Sequence, residues 1–290
     1  MPKFSAPSHL LHKVQKPVTI FFALFFFWAL QTNAQTTWYS RTDDPQYISS
    51  NFDVTAAWTD SPSGTGGTNP SSMSVFTSGT DNFVVLSAAT RTINSHVIIR
   101  SLTVEGTVEG SSGSLTLNGN LINNGTFEIG VPLNFTGADN ASVGGANTIA
   151  VSATITVNKS SGATLTLGAN TITISGNSNL ILIQGGNFVA GSGTIQLVSG
   201  ADLTISTSGT VDFTTNQSQI DVVGSFTTVI TSNQDINFHN IRNSKSSGRL
   251  DFTGTGGTRN FRIRGTYTRA SNSTASRIGT LTNATSATMG

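Results

Sequence analysis

The feature that most constrains the fold is a series of short blocks in which apolar and hydroxyl side chains alternate. A period of two sends the apolar residues to one face of a strand and the threonines to the other, as in a half-buried β-strand. Gly or Asn follows most blocks and supplies a turn. The repetition therefore predicts a stack of short strands. The clearest blocks are Leu102-Thr103-Val104, Leu115-Thr116-Leu117, Ile155-Thr156-Val157, Leu165-Thr166-Leu167, Ile172-Thr173-Ile174 and Leu203-Thr204-Ile205.

The spacing of the blocks favours stacked coils. Blocks begin about every eight to ten residues, so three strands make one coil of ordinary repeat length. The sequence shows no helical pattern longer than a turn and no proline after Pro132. We predict an all-β fold, a right-handed parallel β-helix (β-solenoid) with an N-terminal capping segment. The alternative is a β-sandwich, in which strands recur at similar intervals.

One short motif fits both architectures. Asn124-Gly125 suits a tight hairpin turn between antiparallel strands. It equally suits the corner of a parallel coil, where stacked Asn side chains share hydrogen bonds. The local sequence does not separate the two.

Residues 1–34 have the three parts of a secretory signal peptide. Lysines precede an apolar run over residues 18–30, and Thr32-Asn33-Ala34 supplies small residues before a cleavage point. The run is shorter than the roughly 20 residues that a membrane-spanning helix needs; an uncleaved membrane anchor is the alternative. We predict cleavage after Ala34, a secreted or cell-surface location, and no membrane span after cleavage.

The mature chain divides into three segments by composition. Residues 35–95 are predicted to form the N-terminal cap region, residues 96–255 the solenoid repeats, and residues 256–290 a basic, Ser/Thr-rich end. An uncapped solenoid end exposes unpaired strand edges. We therefore expect the chain to be part of a longer protein.

Composition excludes several kinds of chemistry. Charged residues make up 10% of the chain, against roughly 25% in average proteins, so Ser, Thr, Asn and Gly build the polar surface. The chain has no Cys, which excludes disulfides, thiolate metal sites and cysteine nucleophiles.

The charges are unevenly distributed. Residues 35–240 include four basic and 13 acidic residues, a net charge of −9, whereas residues 241–290 include eight basic and one acidic, a net charge of +7. Such an end is either an electrostatic patch for acidic glycans or nucleic acid, or the solvated face of a few strands. We predict no nucleic-acid partner, because the arginines between 259 and 269 lie in no known motif and have no aromatic stacking platform.

The cap region holds the Trp and Tyr residues that are candidates for binding. Trp38, Tyr39 and Trp58 are predicted to form a glycan-binding platform, since aromatic rings pack against sugar faces. The alternative is that they are buried core residues of the cap.

The acidic residues and histidines of the chain are weak candidates for catalytic groups. Polysaccharide lyases and hydrolases need clustered carboxylates or a calcium site. The acidic pairs are Glu105 with Glu109, Asp43 with Asp44, and Asp202 with Asp212; His96 and His239 are isolated. We predict no catalytic residue, no metal site and no cofactor; a Ca²⁺ ion has no support. The alternative is a polysaccharide-degrading β-helix enzyme (lyase or hydrolase), or its non-catalytic N-terminal part.

The cap and repeats resemble a known group of proteins, the N-terminal regions of large secreted, surface-associated β-helical repeat proteins of Bacteroidota. The resemblance implies an exported, adhesin-like passenger of the type IX secretion kind, and it assigns no functional residues. It is carried by Ala34-Gln35, Trp38-Tyr39-Ser40, Ala57-Trp58-Thr59-Asp60, Asp81-Asn82-Phe83-Val84-Val85, Ser101-Leu102-Thr103-Val104, Leu115-Thr116-Leu117-Asn118-Gly119-Asn120-Leu121 and Ile155-Thr156-Val157-Asn158-Lys159-Ser160-Ser161-Gly162.

The sequence as a whole predicts a non-catalytic structural or adhesin-like protein. Its partners are expected to be extracellular glycans or a host or matrix surface, bound through a long Thr/Asn/Ser face by many weak hydrogen bonds. A spacer that displays other modules is the simpler alternative. Outward threonines would also suit ice binding, but the irregular block spacing argues against a flat array.

Overall fold

The computed structural model describes residues 35–43, 50–269, 278–282 and 284–289. The predicted signal peptide and Asp44 lie outside the described residues, as do residues 270–277 of the basic segment. The strands belong to the unit that begins at Thr36.

Within the described residues, the strands form three faces, and from Asn82 onward the faces follow one another in a fixed order along the chain. Face I contains β1 (Thr37–Ser40), β2 (Trp58–Thr59), β3 (Asn82–Val85), β6 (Ser101–Val104), β9 (Leu121–Asn123), β12 (Ala141–Gly144), β15 (Thr164–Leu167), β18 (Asn187–Val189) and β21 (Val211–Asp212), and continues into β24 (Ile236–Phe238), β27 (Arg259–Ile263) and β30 (Ala284–Met289). Face II contains β4 (Thr90–Ile93), β7 (Thr107–Gly110), β10 (Thr126–Ile129), β13 (Ile149–Val151), β16 (Thr171–Ser175), β19 (Thr194–Val198), β22 (Gln219–Gly224), β25 (Asn240–Lys245) and β28 (Tyr267–Arg269). Face III contains β5 (His96–Ile99), β8 (Ser114–Leu117), β11 (Leu133–Phe135), β14 (Ile155–Asn158), β17 (Leu180–Gly185), β20 (Asp202–Ile205), β23 (Thr228–Ser232), β26 (Leu250–Gly254) and β29 (Ile278–Thr282). Short 3-10 helices cover Thr55–Ala57, Met73–Phe76 and Thr215–Gln217.

The pairing confirms the predicted parallel β-solenoid, which makes about eight turns in the described part of the chain. Strands in the middle of each face pair in parallel with the strands one coil before and one coil after; Leu102, for example, pairs with Phe83 and with Leu121. The β-sandwich alternative is wrong, because a sandwich pairs its strands antiparallel. The alternation works as predicted: Leu102 and Val104 are buried, and Thr103 between them faces outward.

Coil length varies, and the corners between faces absorb the variation. Val97, Leu115 and Leu133 occupy one position of face III in successive short coils. On the same face Leu203 pairs with Ile230, across a coil that is longer by half. Extra residues therefore enlarge the loops between faces, while the register shifts locally at Val157/Asn158, Leu250/Phe252 and Arg259/Asn260.

The Asn124-Gly125 motif is a corner of the coil. It separates β9 on face I from β10 on face II. The Asn124 side-chain oxygen accepts from Ala146 N at 3.0 Å, and Asn147 Nδ2 donates to the Asn124 and Gly125 carbonyls at 2.8 Å. Stacked amides at successive corners thus satisfy backbone groups that no strand pairs.

The core changes character along the coil. The early coils enclose mainly Val, Leu and Ile, whereas the later ones contain a stack of aromatic rings. Phe188 and Phe213 have ring centroids 5.6 Å apart, and Phe213 and Phe238 are 5.2 Å apart. These rings stack from one coil to the next and fill the later core to the density that protein interiors require.

The N-terminal end of each face is covered. The β1–β2 pair lies on β3 of face I. On face II, Phe52 N donates to Thr92 O at 2.9 Å. On face III, Gly79 N donates to Ile98 O at 3.0 Å, just after the 3-10 helix Met73–Phe76. The segment predicted as the cap therefore shields the exposed strand edges, although its last two strands, β3 and β4, already belong to faces I and II.

Candidate functional site

The predicted binding residue Trp58 lies in the centre of the cap. Its side chain is fully buried, and its ring centroid is 4.8 Å from the rings of Phe52 and Phe83. The indole Nε1 donates to the Phe52 carbonyl at 2.7 Å, which satisfies the one polar atom of the ring. Trp58 therefore serves as the core residue of the cap.

Arg91 holds this aromatic cluster on the first coil. Its guanidinium lies 5.4 Å from the Trp58 ring centroid, a cation–π distance. Its Nη2 donates to Ala57 O at 2.8 Å and to Arg41 O at 3.3 Å. Burial lowers the pKa of Arg91 to about 10, so it remains charged at neutral pH.

The other two predicted aromatics lie on β1. Trp38 is 9% exposed and donates from Nε1 to Asp81 Oδ2 at 3.2 Å, and Tyr39 is half-buried. The structure thus gives the three residues no shared exposed surface. Glycan contact through Trp38, Tyr39 and Trp58 stays a prediction, and contact with Trp58 would require the cap to open.

The predicted acidic pairs are separated by the coil geometry. Glu105 accepts from Asn124 Nδ2 at 2.9 Å at the corner after face I, whereas Glu109 accepts from Thr92 Oγ1 at 3.1 Å on face II. Asp202 lies on face III and Asp212 at the end of β21 on face I. Since neither pair converges, neither has the shared reaction space that two-carboxylate catalysis needs.

Asp43 and the histidines have local partners. The pKa of Asp43 falls to about 2, because the Arg41 side chain and Gly66 N donate hydrogen bonds to its carboxylate. His96 Nδ1 lies 2.9 Å from Ser114 Oγ, and His239 lies at a corner between faces I and II. In the described part of the chain, His, Asp and Glu form no group of three or more that could hold a metal ion.

The sequence pattern did not predict two buried lysines whose side chains donate hydrogen bonds to backbone carbonyls of neighbouring coils. Lys159 is 2% exposed, and its Nζ donates to Asn118 O at 2.8 Å and to Thr136 O. These carbonyls belong to the same corner in the two preceding coils. Burial lowers the pKa of Lys159, and the two carbonyls partly replace the lost hydration.

Lys245 is the centre of a more strongly charged group. It is fully buried, donates from Nζ to Phe226 O, and lies near the carboxylates of Asp202 and Asp251. Burial lowers its pKa to about 8, although both aspartates oppose that shift. Burial in turn raises the pKa of Asp202. Because Lys245 has no exposed surface, this group is suited to stabilising a corner rather than to contacting a substrate.

The outer surface of face II carries a regular line of threonines, here called the threonine column. Register pairs Thr90 with Thr107, Thr107 with Thr126, and Thr171 with Thr194. Thr148 directly precedes Ile149, which pairs with both Phe127 and Ile172, and so completes the line. The column consists of Thr90, Thr107, Thr126, Thr148, Thr171 and Thr194, each half-buried or exposed.

The threonine column corrects the sequence-based argument against a flat array. Irregular spacing of the blocks along the chain does not produce irregular placement of the threonines in space. The structure places the extra residues in corners, so the strands still stack one per coil at about 4.8 Å. In the sequence, each member of the column is the Thr at the start of a face II block. Only the strand register shows that these threonines align with one another.

Face III bears a second, shorter alignment of outward threonines. Thr204 pairs with Thr231 and Thr231 with Thr253 in successive coils. On face II, the line of outward residues beside the threonine column contains both hydroxyl and carboxylate side chains. Its first members are Thr92, Glu109 and Glu128. The outer faces therefore combine hydroxyl, amide and scattered carboxylate groups on a rigid support.

Comparisons with protein-family models, with curated proteins and with solved structures found no match. Among the described residues, none of the helices has the length and apolar character that a membrane span requires.

Proposed function

We propose that the protein is a secreted or cell-surface β-solenoid of the structural or adhesin-like kind, which binds extracellular glycans without catalysing a reaction. One observation carries the proposal: hydroxyl and amide side chains stack in register on the outside of a continuous parallel coil. Secretion is supported by the signal-peptide pattern of residues 1–34.

The geometry suits repeated weak contacts along a chain-like ligand. Eight steps of about 4.8 Å between nine paired strands give a rod about 38 Å long. A polysaccharide offers many hydroxyl groups along a comparable length. Each hydrogen bond to it contributes little, but many contacts on a rigid surface add without a large cost in ordering the protein.

The non-catalytic part of the proposal is supported by the positions of the acidic groups. Glu105, Glu109 and Asp212 lie on different faces or corners and accept hydrogen bonds from neighbouring side chains. The competing function, a polysaccharide lyase or hydrolase, needs two such groups beside one glycosidic bond.

The test is a glycan-array and turnover assay on residues 35–290. We expect binding to a subset of glycans and no new reducing ends or unsaturated products. The variant Thr107→Lys/Thr126→Lys/Thr171→Lys changes face II, and the matched control Thr204→Lys/Thr231→Lys/Thr253→Lys makes the same change on face III.

Binding that only one of these variants abolishes would assign the contact to that face. Circular dichroism and urea unfolding must show that both variants fold like the wild type. Turnover of any polysaccharide would contradict the non-catalytic function, and a folded protein that binds no glycan would leave only the structural, spacer function.

The threonine column favours a second candidate function, binding to ice. Its threonines present one methyl and one hydroxyl group per coil at a short, regular repeat on a rigid sheet. Such a surface can hold water in a lattice-like order. Glu109 and Glu128, which pair in register beside the column, oppose this function because charged groups hold their own hydration.

Ice binding is tested by ice-recrystallisation inhibition and thermal hysteresis. We expect activity that Thr126→Lys removes and that the control Thr204→Lys leaves unchanged. Equal activity of the two variants, or none in the wild type, would exclude the column as an ice-binding surface.

A further inference from the structure

Three exposed arginines lie on the last described coils, on two adjacent faces and at the corner between them. Arg242 faces outward from β25 on face II. Arg262 faces outward from β27 on face I, and Arg264 follows that strand at the corner toward face II. Arg262 and Arg264 are two residues apart, about 6.6 Å along an extended chain. We call Arg242, Arg262 and Arg264 the arginine corner.

Backbone pairing fixes the positions of these residues. Arg262 is in register with Asn237, and Arg264 N donates to Phe238 O at 2.7 Å. Thr266 N donates to Asn240 Oδ1 at 3.0 Å, which stacks the next corner residues on the start of β25. Arg242 lies two residues further along that strand. The corner is therefore built on paired strands of two faces.

The surroundings of the arginine corner are polar and carry a net positive charge. Arg264 Nε donates to Asn237 Oδ1 at 3.1 Å. The nearby Asp235 accepts from the backbone N and side chain of Asn260, and these bonds lower its pKa more than the charge of Arg262 does. Asp221 pairs in register with Arg242 but is only 7% exposed. The exposed groups are thus mainly cationic or amide donors.

The rest of the rod has the opposite charge. Between residues 50 and 230 the chain has ten acidic and three basic residues, and two of those basic residues, Arg91 and Lys159, are buried. Between residues 235 and 269 it has seven basic and two acidic residues. A polyanion would therefore be repelled by most of the coil and attracted to one end.

We propose that the arginine corner binds an acidic polysaccharide, through carboxylate or sulfate groups spaced along the sugar chain. This inference rests on the proposed function and names its ligand class and contact site. Guanidinium groups form paired hydrogen bonds with the oxygens of carboxylates and sulfates. The Asn237 side chain, whose Oδ1 accepts from Arg264, keeps its Nδ2 as a donor for the sugar hydroxyls, and two adjacent faces let a bent chain follow the corner.

The experiment measures binding of residues 35–290 to double-stranded DNA and to three immobilised polysaccharides: a polyuronate, a sulfated polysaccharide and neutral dextran. The test variant is Arg242→Gln/Arg262→Gln/Arg264→Gln. The control variant, Arg41→Gln/Arg100→Gln/Arg249→Gln, removes the same three charges from arginines that pair with Asp43, Asp139 and Asp251. Both variants are first shown by circular dichroism and urea unfolding to be folded.

We expect the wild type and the control to bind the acidic polymers, with affinity that falls as salt rises. The arginine-corner variant should bind at least tenfold more weakly, and dextran binding should be the same in all three proteins. Equal losses in the two variants would mean that only net charge matters and would overturn the proposal. So would an unaltered affinity in the arginine-corner variant, or equally tight binding to double-stranded DNA through the same arginines.

The two proposals fail in different ways. A protein that binds neutral but not acidic glycans would refute the arginine corner and leave the proposed function standing. A folded protein that binds none of the array glycans would remove the adhesin function itself.

Discussion

The first coils and the last described coils differ in length, core and charge. The first are short, as the steps from Phe83 to Leu102 and from Val97 to Leu115 show, and they have a mainly aliphatic core and a covering cap. The later ones are longer, as the step from Leu203 to Ile230 shows. They contain stacked Phe rings and bury many of the polar side chains of the interior. Those polar residues are Thr207, Ser218, Asp221, Thr228, Ser232, Asn243, Lys245 and Asp251.

This difference shows how a solenoid tolerates variation. The strand pairs need only a constant register, so residues can be inserted at corners without disturbing the ladder. A later coil holds the charge of Lys245, beside the Phe226 carbonyl and near the carboxylates of Asp202 and Asp251. The first coil holds the charge of Arg91, against the Trp58 ring and the Ala57 carbonyl of the cap.

The largest effect is expected from Trp58→Ala in the cap. The change removes a fully buried ring that contacts Phe52, Phe83 and Arg91 and should lower the free energy of unfolding by about 3–5 kcal/mol. Urea denaturation followed by circular dichroism measures it. Met73→Ala is the control in the same cap, since Met73 is 60% exposed. Equal effects of the two changes would show that Trp58 is not the core of the cap.

A smaller loss is expected from Gly191→Ala at a corner of the later coils. Gly191 has φ +57, and an added Cβ would overlap the Leu167 carbonyl oxygen. Overpacking of this kind costs about 1–3 kcal/mol, beyond about 1 kcal/mol for the left-handed backbone. Gly162→Ala is the matched control, because Gly162 has φ +86 but nothing near its missing Cβ. Equal midpoints in urea for the two variants would contradict the close packing of corners.

The next prediction concerns pH and Lys245. Its folded-state pKa of about 8 lies below the ordinary lysine value of 10.5. Between those values the unfolded chain holds a proton that the folded chain has released, so the stability from this group rises with pH across that window. The rise is at most about 3 kcal/mol. Urea unfolding at pH 7, 8.5 and 10 should show it in the wild type and not in Lys245→Met. If the free energies of unfolding of the two proteins changed with pH in the same way, the pKa of Lys245 would not be lowered in the folded protein.

The smallest effect is expected from Arg100→Ala. Arg100 Nη2 lies 3.1 Å from Asp139 Oδ2, and both side chains are substantially exposed. Such a surface pair contributes less than about 0.5 kcal/mol, so the urea midpoint should barely move. A loss above about 1 kcal/mol, the upper end for such pairs, would show that surface charges stabilise the early coils as much as packing does.

The sequence by itself determined the strand pattern and favoured parallel stacking over a sandwich. Alternation in blocks such as Leu102-Thr103-Val104 needs only the geometry of one strand, and many similar blocks need one another to bury their apolar faces. The tertiary structure decided which residues meet. It buried Trp58, separated Glu105 from Glu109, aligned Thr126 with Thr107 and placed Lys245 near the carboxylates of Asp202 and Asp251. These outcomes depend on register and corner length, which are set by contacts between residues a full coil apart in the chain and are invisible to a local pattern.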